Sequence, residues 1–151
     1  MKKIGYTTKE KATEKIELGK DKVQESFFPI FNSDKADTEN NKKRLREFLG
    51  LEITPDIKNI YCFDDIIGID SDYMFSFNCD AETSEKIIQK HHLEKDEHSE
   101  SAFGLQHNFS WWNKEEIAKL DLYSWNKNHQ YFKYYWYDEK NKKSYYFEFT
   151  M

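Results

Sequence analysis

Four carboxylates crowd into the stretch Asp64-Asp65-Ile66-Ile67-Gly68-Ile69-Asp70-Ser71-Asp72, at Asp64, Asp65, Asp70 and Asp72. Hard cations such as Ca²⁺ take oxygen ligands, so these four are the first candidates for a metal site. Their spacing departs from the EF-hand, which alternates ligands ahead of its Gly and closes on a distant Glu. A solvated acidic turn is the competing reading. A second cluster, His91, His92 and His98 with Glu94, Asp96 and Glu97, holds zinc-competent groups. Neighbouring histidines on one helix diverge, and no pair stands four residues apart. The expectation is one histidine packed at a helix end, where the partial negative charge favours its protonated form, and one exposed.

Covalent and acid–base chemistry find less support. No nucleophile elbow and no Gly-rich phosphate loop is present, and the five glycines are scattered. Pro55-Asp56 begins a nuclease-like pattern, but no acid-x-Lys follows at a strand position. Only Cys62 and Cys79 are present, spaced for neither a zinc knuckle nor a redox pair. If the strands carrying them form a hairpin, the residue opposite Cys62 falls between Met74 and Ser76, too far from Cys79 for a disulfide. Two buried free thiols are expected. Neither a cofactor nor a catalytic residue is called, and the balance leans away from an enzyme.

The third set is aromatic: Trp111-Trp112, and the run Tyr131 to Tyr137 with Tyr135, Trp136 and Tyr137 at its centre. Both faces of that run are aromatic. If one face packs on helices, the other is either covered, by an N-terminal strap for example, or exposed as a recognition surface, for which Tyr and Trp suit by joining rigid contact area to a polar handle.

The elements that would position these residues are readable in outline. Residues 1–25 are Lys- and Glu-rich and predict a poorly packed N-terminal arm, ahead of a single domain over 26–151. Phe27-Phe28-Pro29-Ile30-Phe31 reads as an edge strand or strap, because Pro cannot donate to a sheet ladder. Asp37 and Thr38 offer N-caps to a helix through Leu45, Phe48 and Leu49, and Gly50 stands where a left-handed residue ends it. Strands are predicted over 59–63 and 73–79, joined by the acidic stretch as a loop. Asp80 then caps a helix whose buried stripe is Ser84, Ile87, Ile88 and His91.

Residues 94–101 read as a charged loop. Asn113 and Glu116 have capping-box spacing for one or two helical turns. A strand over 120–125 precedes a C-terminal hairpin of 131–137 and 144–150, with Tyr145, Phe147 and Phe149 on one face. Strands in groups with helices inserted give an α+β class: an antiparallel sheet of four or five strands with two or three helices packed on one face.

Aromatic residues make up 17% of the 151, far too many for a disordered chain, so the core must be aromatic. The formal charge of −5 is unevenly spread. Residues 58–110 hold four Lys against eleven Asp or Glu, while the rest is nearly balanced. That acidity argues against a nucleic-acid partner, whose phosphates need a basic surface. It suits a cationic protein partner or a cation, with a solvated acidic surface as the plainer alternative. No apolar run is long enough to span a bilayer, and Ile4 to Glu10 lack the apolar stretch of a secretory signal. The chain as it stands reads as cytoplasmic, or as exported if a leader was removed.

The helix end and Pro at Phe48-Leu49-Gly50-Leu51 to Pro55, the strand pair, the helix after Asp80, Trp111-Trp112 and the Tyr-rich hairpin with Asp138 at its turn resemble, over residues 45–150, a group of small bacterial proteins, several of which look like exported lipoproteins. That group carries no activity to transfer. The chain departs from it in having Asn113-Lys114 where a Pro commonly follows the Trp pair, and in showing no lipid-attachment Cys near its start.

The function expected is non-enzymatic binding of another protein, through an aromatic sheet face and the acidic central segment. An immunity protein against a basic toxin or an envelope accessory factor fits this size and charge. The alternative is a small enzyme or ligand binder with a pocket near the Trp pair and the helix-end histidines.

Overall fold

A computed structural model describes residues 32–67, 70–97 and 106–151, without the side chains of 65–71. The N-terminal arm over 1–25 and the strap at 27–31 lie outside the described residues. Helix α1 (Glu39–Leu49) begins at Thr38, whose hydroxyl accepts from the Asn41 N–H at 3.0 Å. It ends at Gly50, at φ 65°, whose N–H donates to the Arg46 carbonyl at 2.8 Å. A left-handed residue there satisfies a carbonyl of the last turn and turns the chain away, with no Cβ to oppose it. At the start of the helix, Asp37 and Asn41 grip Ile60: the Ile60 N–H donates to the Asp37 carboxylate, and the Ile60 carbonyl accepts from the Asp37 N–H and the Asn41 amide.

Strands β1 (Lys58–Ile67) and β2 (Asp70–Asn78) form a long hairpin. The stretch 64–72 is therefore mostly strand and not the loop its carboxylates suggested. Asp is tolerated there because Asp64 meets Arg44 of α1 at 2.9 Å and Asp72 meets His107 at 3.1 Å. Cys62 pairs with Phe75, inside the window expected, and both cysteines are buried and free.

Helix α2 (Ala81–Lys90) follows with Ser84, Ile87 and His91 buried and Ile88 half-buried. Asp80 occupies its N-cap position, but its side chain makes no capping bond. Asp56 does that work from a distance, accepting from the Asp80 N–H at 3.0 Å and the Thr83 hydroxyl at 2.7 Å. Burial alone would raise the Asp56 carboxyl, but these bonds and one from Thr54 outweigh it and hold the group at about 2.

The charged stretch after α2 is also not wholly a loop. Glu94–Asp96 is β3, paired with Leu122–Ser124 of β4 (Leu122–Lys127). Three charged residues carry no hydrophobic alternation, and charge is what short edge strands tolerate. Helix α3 (Lys114–Ile117) is a single turn capped by Asn113, whose side-chain oxygen accepts from the N–H groups of Glu115 and Glu116. β5 (Tyr131–Asp138) and β6 (Lys143–Thr150) form the hairpin expected from their β-favouring aromatic runs.

The six strands among the described residues join one antiparallel sheet in the order β1-β2-β6-β5-β4-β3. The class is α+β as read, with six strands among the described residues where four or five were expected. Consecutive hairpins dock side by side, so the two strands drawn from the C-terminal hairpin lie at the sheet's centre. Each face has its own core. On one, Leu45, Leu49 and Ile87 from α1 and α2 pack on Cys62, Phe75, Phe77, Tyr135 and Tyr146. On the other, Trp111, Trp112 and Ile117 pack on Met74, Tyr134, Trp136, Tyr145 and Phe147. The two longer helices thus share one face, and the single-turn helix and the Trp pair cover the second.

Candidate functional site

Burial removes most of the expected aromatic contact face. Trp111, Trp112, Tyr135 and Trp136 are 4%, 2%, 0% and 1% exposed. Trp112 meets Trp136 and Tyr145 edge-on at 6.0 and 5.4 Å between centroids, while Trp111 stacks on Phe109 and Tyr61 at 4.8 and 5.6 Å. Their indole N–H groups are used internally, Trp111 donating to the Ser33 carbonyl and Trp112 to the Gln106 side-chain oxygen. An aromatic strand central to a sheet is buried on both sides, and the Trp segment supplies the second cover.

The alternative pocket joins residues that the sheet separates. The Trp pair belongs to one face and His91 to the other. His91 lies at the end of α2, its Nε2–H donating to the Leu49 carbonyl at 3.0 Å and its Nδ1 accepting from Lys133 Nζ at 3.1 Å. Burial, with Lys133 beside it, lowers its pKa, so the neutral ring is favoured and not the protonated form expected from the helix end. His92 is exposed, and His98 lies outside the described residues.

The four-carboxylate site is likewise divided. In the β1–β2 register Asp64 stands opposite Tyr73 and Asp65 opposite Asp72. Alternation along each strand therefore sends Asp64 and Asp72 to opposite faces, where Arg44 and His107 engage them. The side chains of Asp65 and Asp70 lie outside the described residues. No cluster of three or more His, Cys, Asp or Glu poised for a metal occurs among the described residues.

Tyr137 is the one expected binding residue left half-exposed, and it lines a cleft of about 440 Å³ between α2 and the β4–β5 end of the sheet. Tyr137 and Tyr123 share the sheet face that carries α2, and Ile88 and Leu120 add aliphatic surface. Glu85, Asp121 and Glu139 stand exposed around the opening. The Tyr137 hydroxyl donates to the Cys79 carbonyl at 2.9 Å, which fixes the ring. Burial, reinforced by Cys79 and the neighbouring acids, pushes that phenol up to about 12, so it remains a donor at neutral pH. Asp121 contacts Lys95 at 3.6 Å with both side chains exposed, whereas Glu85 and Glu139 have no ion-pair partner among the described residues. Lys119, at the same rim, is held by Glu116 at 3.3 Å.

Sequence reasoning missed Tyr123, Ile88 and Glu85 as members of one site. The available signals were the position of Tyr123 in a predicted strand and that of Glu85 on the solvent side of a predicted helix, but nothing local joins the two. Comparison with family models, curated proteins and solved structures returned no match. The site is thus defined by its geometry. No helix among the described residues is long and apolar enough to cross a membrane.

Proposed function

We propose that this chain is a non-enzymatic interaction module for a basic protein. The observation that carries this reading is the tyrosine cleft with carboxylates around its mouth, two of them without an ion-pair partner among the described residues. The exposed surface of α2 and of residues 94–97 adds Glu82, Glu94 and Glu97 interspersed with Lys86, Lys90 and Lys95, and the segment 58–110 holds four Lys against eleven acids, so an approaching cationic partner meets net negative charge. Half-exposed Tyr side chains then supply contact area at low entropic cost. The reading keeps the acidic central segment as part of the contact surface and replaces the wider aromatic face with one aromatic cleft. An immunity-type protein directed at a basic toxin and an envelope accessory factor remain the two settings that suit such a surface.

A selection of short random peptides against the immobilised protein tests the proposal. Enrichment of Lys- and Arg-bearing sequences whose binding weakens in high salt and in a Glu85→Lys, Glu139→Lys double variant is expected. Selected sequences without basic residues, or binding indifferent to the double variant, would overturn it.

A further inference from the structure

Resting on that interaction reading, we infer that the cleft between α2 and the β4–β5 end of the sheet receives one arginine side chain from an extended segment of the partner. A volume of about 440 Å³ is near the low end for small-ligand sites, roughly 300–1,000 Å³. It suits one long side chain and its flanking backbone. The cleft offers such a chain two kinds of surface. Ile88 and Leu120 supply aliphatic lining suited to the methylene stem, and the rings of Tyr123 and Tyr137 supply aromatic lining suited to a cation. The carboxylates of Glu85 and Glu139 then stand at the mouth without ion pairs among the described residues.

The donor and acceptor inventory favours guanidinium over ammonium. The Tyr137 hydroxyl donates its proton to the Cys79 carbonyl, and the buried hydroxyl of Ser84 accepts from Tyr135 at 2.8 Å. The acceptors open to a partner are the carboxylate oxygens of Glu85 and Glu139, the Tyr123 hydroxyl, which has no hydrogen-bond partner among the described residues, and the lone pairs that the Tyr137 oxygen keeps while it donates. Guanidinium brings five N–H donors in a planar fork and stacks on an aromatic ring while it donates at its edge. An ammonium is a compact point charge that stays strongly hydrated and gains less from the rings. Asp121 contributes negative potential beside the site while tied to Lys95.

The test is a solution NMR titration of the ¹⁵N-labelled protein with capped glycine peptides that carry a single arginine, lysine or citrulline, and with polyarginine. Arginine should move the amide signals of Glu85, Tyr123 and Tyr137 saturably, lysine should bind several-fold more weakly, and citrulline, which keeps the shape and loses the charge, should not bind. Glu85→Gln with Glu139→Gln should weaken the arginine peptide about tenfold. Tyr123→Leu should erase the preference of arginine over lysine while leaving the fold's spectrum intact.

Equal binding of lysine, or arginine shifts confined to other parts of the acidic surface, would overturn the arginine pocket and leave the interaction reading standing. The absence of saturable shifts with polyarginine as well as with the single-arginine peptide would overturn both.

Discussion

His91 ties three elements together through one ring, and its protonation state decides whether the tie holds. The Leu49 carbonyl at the end of α1 requires a proton on Nε2, and Lys133 of β5 requires a lone pair on Nδ1. Only the neutral ring satisfies both. Burial, with Lys133, Lys90 and His92 nearby, lowers its folded pKa below the unfolded value of about 6.5. The folded state then binds fewer protons than the unfolded one. The stability this contributes is fully present above pH ~6.5 and is lost as pH falls from there through the folded pKa. Melting of the wild type should therefore drop between pH ~7.5 and ~5.5 by more than that of His91→Gln, and Lys133→Met should move the His91 titration upward in an NMR pH series. Equal pH dependence of wild type and His91→Gln would contradict this. The cysteines give a second check at this scale. Burial raises both thiols, Cys79 to about 11, and neither sits near a cation that would restore the thiolate except Arg44, which only partly offsets Asp64 at Cys62. Both should resist a thiol reagent in the native protein and react promptly once it is unfolded, because labelling must wait for local opening. Prompt labelling of the native protein would show that the cores are not closed as described.

Trp112 is the element-scale keystone of the second face. Its indole meets Trp136 on β5 and Tyr145 on β6 edge-on, and its N–H occupies the Gln106 side-chain oxygen. Truncation to Ala removes these contacts and leaves a cavity under the segment that covers the central strands, so Trp112→Ala should lose about 3–5 kcal/mol in denaturant unfolding. A loss below about 1 kcal/mol would mean the segment contributes little to the core. The same logic recasts Trp136: with 1% exposure, Trp136→Ala reports on folding and carries no information on binding. At this scale the sequence was legible where a single signal dominated. Runs rich in Tyr, Phe and Trp located β5 and β6, and Thr38 with Gly50 bounded α1, because cap chemistry and strand propensity are local. β3 was not legible, since Glu94-Lys95-Asp96 has no apolar alternation and becomes a strand only by pairing with β4. The outer parts of β1 and β2 were hidden for a related reason: their Asp residues are tolerated through Arg44 and His107, which are distant in sequence. The candidate site was legible only as Tyr137 and an excess of acid, because α2, β4 and β5 bring the other lining residues together through tertiary packing.

For the whole molecule, burial of the sheet on both faces leaves no broad aromatic surface among the described residues, so the proposed recognition falls to the cleft beside α2. On that proposal charge governs the encounter. Residues 58–110 hold the excess negative charge, four Lys against eleven Asp or Glu, and Glu85 of that segment lines the cleft with Asp121 and Glu139. Association with a basic partner should slow and weaken as salt shortens the screening length from about 10 Å at 0.1 M to about 3 Å at 1 M. Isothermal titration calorimetry with a basic peptide selected on the wild type, run against wild type and the Glu85→Lys, Glu139→Lys variant, tests recognition at the cleft. Saturable binding to the wild type and at least about a tenfold loss in the folded variant are expected. Equal affinities for both proteins would contradict it.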